Sequence, residues 1–341
     1  MTNFAIAGIQ MPVTIRDNLD AMKARLDLLM HLYPWVQMVV FPELAVHGPI
    51  PSSAQATGGA YETAFCRMAR EYGVWLIPGS LFEKRDGNIY NTSPVIDPDG
   101  NVVTRYSKMF PFTPYESATT PGDRVCVFDV PGVGRFGISI CYDIWFPELT
   151  RSMVSMGAEV IINPVMANFT DRPVDLVIAQ ASAAMFQSYV FHINGLVAGG
   201  NGQSMVIDPT GHVIHRGGNS EELIPIEVDL AALRRQRVRG LMTMGQPLKS
   251  WRDCAVPFPA YAEGFDRSYL DSLGPLVVPP REVVDPAAGP VMLPPIPGAV
   301  PPPLQPLAAP APETAGTAAP APAPAPEAEA ATPETVLPAA E

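Results

Sequence analysis

Cysteine, basic side chains and long apolar runs are all scarce in this chain of 341 residues. The four cysteines, Cys66, Cys126, Cys141 and Cys254, form no CxxC pair, which argues against a disulfide framework and a cysteine-based zinc site and suits a reducing cytoplasm. Only 22 Lys and Arg stand against 34 Asp and Glu, for a net charge of -12. Such a surface repels polyphosphates, so no nucleic-acid partner is expected. No run of about 18 apolar residues occurs, which excludes an ordinary transmembrane helix and a membrane partner. The start, MTNFAIAGIQ, lacks the basic region and cleavage site of a signal peptide, so a soluble, cytoplasmic protein that begins directly in structure is expected. Histidines number five. His212 and His215 are close, and His47 follows Glu43 by four, but no acidic or thiol partners complete a metal set, so neither metal nor organic cofactor is expected. The string Gly132–Gly137 reads GxGxxG yet precedes a strand instead of opening a helix, so a phosphate-cradling loop is excluded.

Apolar residues make up 47% of the chain, enough for a sizeable core. Strand-like runs rich in Val and Ile recur at Phe4–Ile9, Met38–Phe41, Val74–Ile77, Val125–Val130, Phe136–Ile140, Val160–Ile162, Val190–Ala198 and Met205–Ile207. Helical spacing separates some of them: Asn18–Leu32 carries Leu19, Met22, Leu26, Leu29 and Met30 on one face, and Tyr61–Tyr72 and Val174–Ser188 are similar. Alternation of this kind favours an α/β architecture. Asp97-Pro98-Asp99-Gly100 and Asp208-Pro209-Thr210-Gly211 place Pro and Gly where hairpin turns use them. From Pro279 onward the sequence becomes Pro/Ala repeats that cannot bury a core. The organisation expected is one domain over 1–265, a linker over 266–278 and a disordered tail over 279–341.

Three segments stand out chemically. Phe136–Ile140 runs into Cys141-Tyr142-Asp143, and Pro147 then sits where a helix would begin. At such a strand-to-helix corner a thiolate is exposed and feels the positive end of the helix. The bland fate of a cysteine, an inert buried hydrophobe, is assigned to Cys66, Cys126 and Cys254. Glu43 closes the short strand before Phe41-Pro42-Glu43-Leu44, where open α/β sheets gather their site residues, although a lone Glu there is more often solvated or capping. Lys108 lies among aromatics and prolines in Tyr106–Phe112, an unusual setting for a residue that commonly snorkels at the surface.

Taken together, FPEL around Glu43, YSKMFPF around Lys108 and ICYDIWFPE around Cys141 resemble the signatures of the nitrilase (carbon-nitrogen hydrolase) superfamily, in that family's order and with similar separations. The resemblance covers residues 4–255. Glu116 matches a second glutamate that the family places after its lysine, and Gly202–Gly211 resembles its late glycine-serine strand and hairpin. One departure lies on the helix before the late strands: many members have Arg-Ala followed by Ile-Glu-Asn, whereas this chain has Gln180-Ala181 and Ala184-Met185-Phe186-Gln187.

The resemblance implies a four-layer α-β-β-α sandwich and a homodimer or larger homo-oligomer. It further implies Cys141 as nucleophile, Glu43 as base, Lys108 and the Tyr142 N–H at the oxyanion, and Glu116 orienting Lys108 or the substrate nitrogen. Tyr115, Trp145, Met166 and Asn168 lie on segments that resemble pocket walls, and their largely apolar character favours a small acyl group. The Cys-Tyr-Asp context resembles amidase branches, so a small linear amide is the expected substrate, with nitrile or N-carbamoyl hydrolysis, or acyl transfer, as alternatives. Two rivals stand apart: a papain-type enzyme with His192 as base, and a catalytically silent interaction protein on the same fold.

Overall fold

The computed structural model describes residues 3–277 apart from Pro114, Phe169 and Met242. The stretch 279–341, expected to be a disordered tail, and Val278 of the expected linker lie outside the described residues. In chain order the elements are β1 (Asn3–Gln10), β2 (Pro12–Val13), α1 (Leu19–Leu32), β3 (Met38–Val40), β4 (Gln55–Ala56), α2 (Ala60–Tyr72), β5 (Trp75–Ile77), β6 (Leu81–Arg85), β7 (Asn88–Ile96) and β8 (Val102–Ser107). After these come β9 (Cys126–Val130), β10 (Gly134–Ile138), α3 (Pro147–Ser155), β11 (Val160–Val165), α4 (Arg172–Phe186), β12 (Tyr189–Asn194), β13 (Leu196–Val197) and β14 (Gly200–Asn201). The last are β15 (Met205–Ile207), β16 (Val213–Arg216), β17 (Glu222–Asp229), α5 (Leu230–Arg239), α6 (Pro247–Arg252) and α7 (Ser268–Asp271).

Two sheets result, one in the order β17-β1-β3-β5-β7-β6-β4 with β8 also on β7, the other in the order β16-β15-β12-β11-β10-β9. Strands β1, β3 and β5 run parallel, as do β10, β11 and β12; β17, β7, β8, β9, β15 and β16 pair antiparallel with their neighbours, and β4 joins β6 in parallel at one edge. Parallel strands need both faces covered, and the residues of β1 meet that need by alternation. Phe4 and Ile6 join the core shared with the second sheet, where Phe4 meets Phe136 edge to face at 5.6 Å. Ala7 and Ile9 turn the other way, onto Met22, Leu26 and Leu29 of α1 and Phe65, Met68 and Ala69 of α2. On the far side of the second sheet, Leu149 and Met153 of α3 and Leu176, Ala179 and Ala183 of α4 complete the core. The layers are thus α-β-β-α, the architecture that the resemblance implies.

The strand and helix runs expected from sequence all form, with edges shifted by a few residues. Two differ in a way that matters. The run into Cys141 ends at Ile138, and the run Val190–Ala198 breaks at Gly195, after which β13 joins a small sheet with β2 and β14. Both hairpins form, with Gly100 and Gly211 at positive φ. Gly137 of the rejected glycine string lies in β10, where a Cβ would stand 2.7 Å from the Met153 sulfur; packing, not phosphate, explains it. The departure on α4 also has a local cause, since Gln180 donates to the Gly211 carbonyl and a Cβ on Gly211 would meet Ala184 at 3.0 Å. Small residues there let α4 seat the β15–β16 turn. The stretch 252–277 is exposed throughout and carries α7 inside the expected linker.

Candidate active site

Strand ends from both sheets bring the three chemical segments to one cleft. After β3, Phe41-Pro42-Glu43 turns tightly, with Leu44 at φ +51 and its N–H held by the Ser80 hydroxyl. Gly79 permits this approach: its φ is +77 and a Cβ would lie 1.8 Å from the Pro42 carbonyl oxygen. Only glycine fits there. The Glu43 N–H then donates to the Val165 carbonyl at the end of β11, which joins the first sheet's turn to the second sheet. Lys108 follows β8, its N–H given to the Asn91 carbonyl of β7 and its carbonyl accepting from Gly122.

Cys141 begins a single 3-10 turn, Cys141–Trp145, before α3. Its φ of +48 is left-handed, a strained conformation for a residue with a side chain and one that clusters at functional corners. Asp143 holds the corner. Its buried carboxylate accepts from the Ile140 N–H at 2.9 Å, the Phe110 N–H at 2.8 Å and the Tyr106 hydroxyl at 2.7 Å, and so fastens the cysteine turn to the lysine loop. Burial pushes its carboxyl up to about 7, against the pull of Lys108 and the three donors.

At the centre, Lys108 Nζ donates to Glu43 Oε1 at 2.9 Å and Glu116 Oε2 at 2.6 Å. Asn91 Nδ2 bridges the same two carboxylates at 2.8 and 3.2 Å. Glu43 is 1% exposed and its Oε2 is buried without a partner. Burial raises its pKa, and Lys108 limits the rise. The ammonium of Lys108 would be driven down by burial, but Glu43, Cys141 and Glu116 more than offset this and leave it firmly charged. The Cys141 thiol lies 3.9 Å from the Met166 carbonyl. Burial, with the Glu43 carboxylate next, pushes it well above its ordinary value, and Lys108 only partly opposes them. This corrects the expectation of a helix-stabilised thiolate. A five-residue turn has little dipole, and burial works against the thiolate, so the thiol needs a base.

All nine residues expected at the site line one cavity of about 540 Å³: Glu43, Lys108, Glu116, Cys141 and Tyr142, and with them Tyr115, Trp145, Met166 and Asn168. Tyr115, 72% exposed, stands at the mouth, stacked on Phe112. The wall is less apolar than expected, because Thr170, Asp171 and Asp175 also form it. Asp175 accepts from Trp145 Nε1 at 3.1 Å and from Arg172 at 2.7 Å. Sequence reasoning missed Asn91, Asp143, Asp171 and Asp175; the Tyr-Asp after Cys141 was the one local signal among them.

His192 does not serve the thiol. It is fully buried, with Nδ1 2.6 Å from Asn163 Oδ1 and Nε2 2.8 Å from Asp175 Oδ2 and 2.6 Å from Arg172 Nη1, so both ring nitrogens are engaged away from Cys141. Burial lowers its pKa, against the pull of Asp175. The carboxylate beside Cys141 is Glu43, and the papain-type alternative has no support.

Comparison with known proteins agrees with this geometry. The carbon-nitrogen hydrolase family model matches residues 5–238. The chain is 32% identical to omega-amidase NIT2-A of Xenopus laevis over 235 residues, covering 60% of this chain and 84% of that protein. It is 30% identical to human omega-amidase NIT2 over 258 residues, covering 70% and 92%. Among solved structures, Saccharomyces cerevisiae Nit3, described as a member of branch 10 of the nitrilase superfamily, superposes with a TM-score of 0.64 at 25% identity, covering 70% of this chain and 94% of that one. An amidase from Nesterenkonia sp. AN1 shares the fold at a TM-score of 0.61 and 23% identity, covering 69% and 94%. The chain therefore belongs to the carbon-nitrogen hydrolase family of the nitrilase superfamily, hydrolases of carbon–nitrogen bonds other than peptide bonds.

Proposed function

We propose that the protein is an amidase that hydrolyses a small linear amide to carboxylate and ammonia through a thioester on Cys141. One observation carries the reading: Cys141, Lys108 and Glu43 line one cavity, and the base there keeps a buried oxygen with no partner. Glu43 Oε2 takes the thiol proton as sulfur bonds to the carbonyl carbon. The thiol has a raised pKa, so deprotonation and attack are coupled. Lys108 has three N–H donors and commits two to Glu43 and Glu116. The third, with the Tyr142 N–H, meets the developing oxyanion.

Glu43 next returns its proton to the departing nitrogen, the C–N bond breaks and ammonia leaves. Water then adds to the thioester carbon, giving one proton to Glu43, and the C–S bond breaks as the sulfur is reprotonated. Glu116 and Asn91 keep Lys108 and Glu43 in register throughout. The omega-amidase names of the relatives support amide over nitrile. The test is product analysis with valeramide and valeronitrile. Equimolar ammonia and valerate from the amide, lost in Cys141→Ala, is expected; nitrile turnover without amide turnover, or an undiminished rate in Cys141→Ala, refutes the proposal.

A further inference from the structure

A second polar cluster lies behind the cleft, and the mechanism above does not use it. Asp175 is its hub. One carboxylate oxygen, Oδ2, accepts from Arg172 Nη1 at 2.7 Å and lies 2.8 Å from His192 Nε2. His192 Nδ1 lies 2.6 Å from Asn163 Oδ1, and Asn163 Nδ2 donates at 2.9 Å to the hydroxyl of Ser139, two residues before Cys141. Asp175 is 3% exposed, and the other four side chains are wholly buried. The second oxygen of Asp175, Oδ1, accepts from Trp145 Nε1 at 3.1 Å, and Trp145 lines the cavity. The indole is thus held at two points, its N–H by Asp175 and its ring by Tyr142, with centroids 5.6 Å apart.

A buried ionic cluster is a poor source of stability, since apolar side chains of similar volume often serve as well. What this one supplies is geometry: a carboxylate clamped by Arg172 and His192 gives the indole N–H one fixed acceptor. We infer that Asp175 is a positioning residue that locks Trp145 as a rigid wall for the acyl chain and so sets the preference for chain length. This rests on the amidase reading above. With both oxygens committed within the protein, Asp175 acts through the indole and not on the substrate. Without that acceptor the indole can turn about its side-chain bonds, and the methylenes of the acyl chain lose a constant surface to pack against. Each methylene buried on a fixed apolar wall is worth about fourfold in kcat/KM.

Propionamide and valeramide differ by two methylenes, so the wild-type kcat/KM should favour valeramide by about 15-fold. Two paired substitutions then isolate the acceptor: Arg172→Met with Asp175→Asn, and Arg172→Met with Asp175→Leu. Both remove the same two charges and leave no guanidinium buried alone, but only the first keeps an oxygen for the indole N–H. The Asn pair should retain the preference. The Leu pair should reduce it to about threefold or less, chiefly through a higher KM for valeramide with kcat little changed. Trp145→Phe, which lacks the N–H and leaves the cluster intact, should show the lower ratio by itself, and in that background the two pairs should not differ. A merely structural role would lower the melting temperature without moving the ratio. A ratio alike in the two pairs, or as high in Trp145→Phe as in the wild type, overturns the inference. Equilibrium binding of both amides to Cys141→Ala, with and without these substitutions, reads the preference apart from turnover. Binding that keeps the order while neither amide is hydrolysed refutes the amidase reading alone, whereas equal binding of the two amides refutes the wall.

Discussion

Replacing Glu43 with Gln isolates proton transfer from everything else that the residue does. The amide keeps the shape and one carbonyl oxygen, so the donors of Asn91 and Lys108 that now meet Oε1 at 2.8 and 2.9 Å retain an acceptor. Lys108 stays paired with Glu116 at 2.6 Å. What is lost is Oε2, the unpartnered oxygen that accepts the thiol proton. Burial, the largest cause of the raised Cys141 pKa, persists in the variant, so the thiol still needs a base. The loss in kcat/KM is therefore expected at the full worth of a general base, about 10²–10⁴-fold. Ammonia release from valeramide measures it. The pH profile adds a second reading: Glu43 must be ionised to act, so the acid limb of the wild type lies above the ordinary 4.5, and the variant loses that limb.

Stability should move the opposite way. A carboxyl whose folded-state pKa is raised contributes stability below its unfolded value and loses it as pH rises through the folded one. Gln cannot ionise, so Glu43→Gln should gain stability relative to wild type as pH rises past the ordinary carboxylate range. A variant within tenfold of wild-type activity, with the acid limb intact, would refute the reasoning.

Three further outcomes follow from the same geometry. Asn91→Ala removes one donor from each of two carboxylates; losing donors to an anion raises its pKa, so the acid limb of the rate profile should shift to higher pH, with about a tenfold loss in kcat/KM. Asp143→Ala frees the Ile140 and Phe110 N–H groups and the Tyr106 hydroxyl at once, and unfolding by denaturant should report a loss of about 2–5 kcal/mol. Gly79→Ala drives a Cβ into the Pro42 carbonyl and should lower both stability and turnover. Gly87→Ala, also at positive φ but with nothing near, should cost only about 1 kcal/mol and leave turnover alone.

Much of the architecture was legible because its strands are buried on both faces and so read as unbroken apolar runs, as in Met38–Val40 and Val160–Ile162. Strand β6 was not, because Glu83, Lys84 and Arg85 make it look like a loop. The structure buries Glu83 by giving it Arg85, Arg105 and Thr57 as partners. Asp86-Gly87, both at positive φ, was the hairpin signal available. Strand β17 was hidden by Pro225, which is tolerated because β17 lies at the edge of its sheet.

At the site, Glu43, Lys108 and Cys141 were legible through their flanking segments. Asn91 was not, since its partners lie 48 and 25 residues away and only the β7–β8 pairing brings it to them. The acids of the wall, Asp171 and Asp175, read from sequence as an ordinary N-cap and first-turn acid of a helix.

The most direct test of the account is acid quenching of the enzyme during turnover of valeramide, followed by mass spectrometry of its cysteine peptides. One valeryl group on the peptide carrying Cys141, lost with hydroxylamine and absent from Cys66, Cys126 and Cys254, is the result predicted. A burst of ammonia with Cys141 unmodified, or the acyl group on another residue, would contradict it.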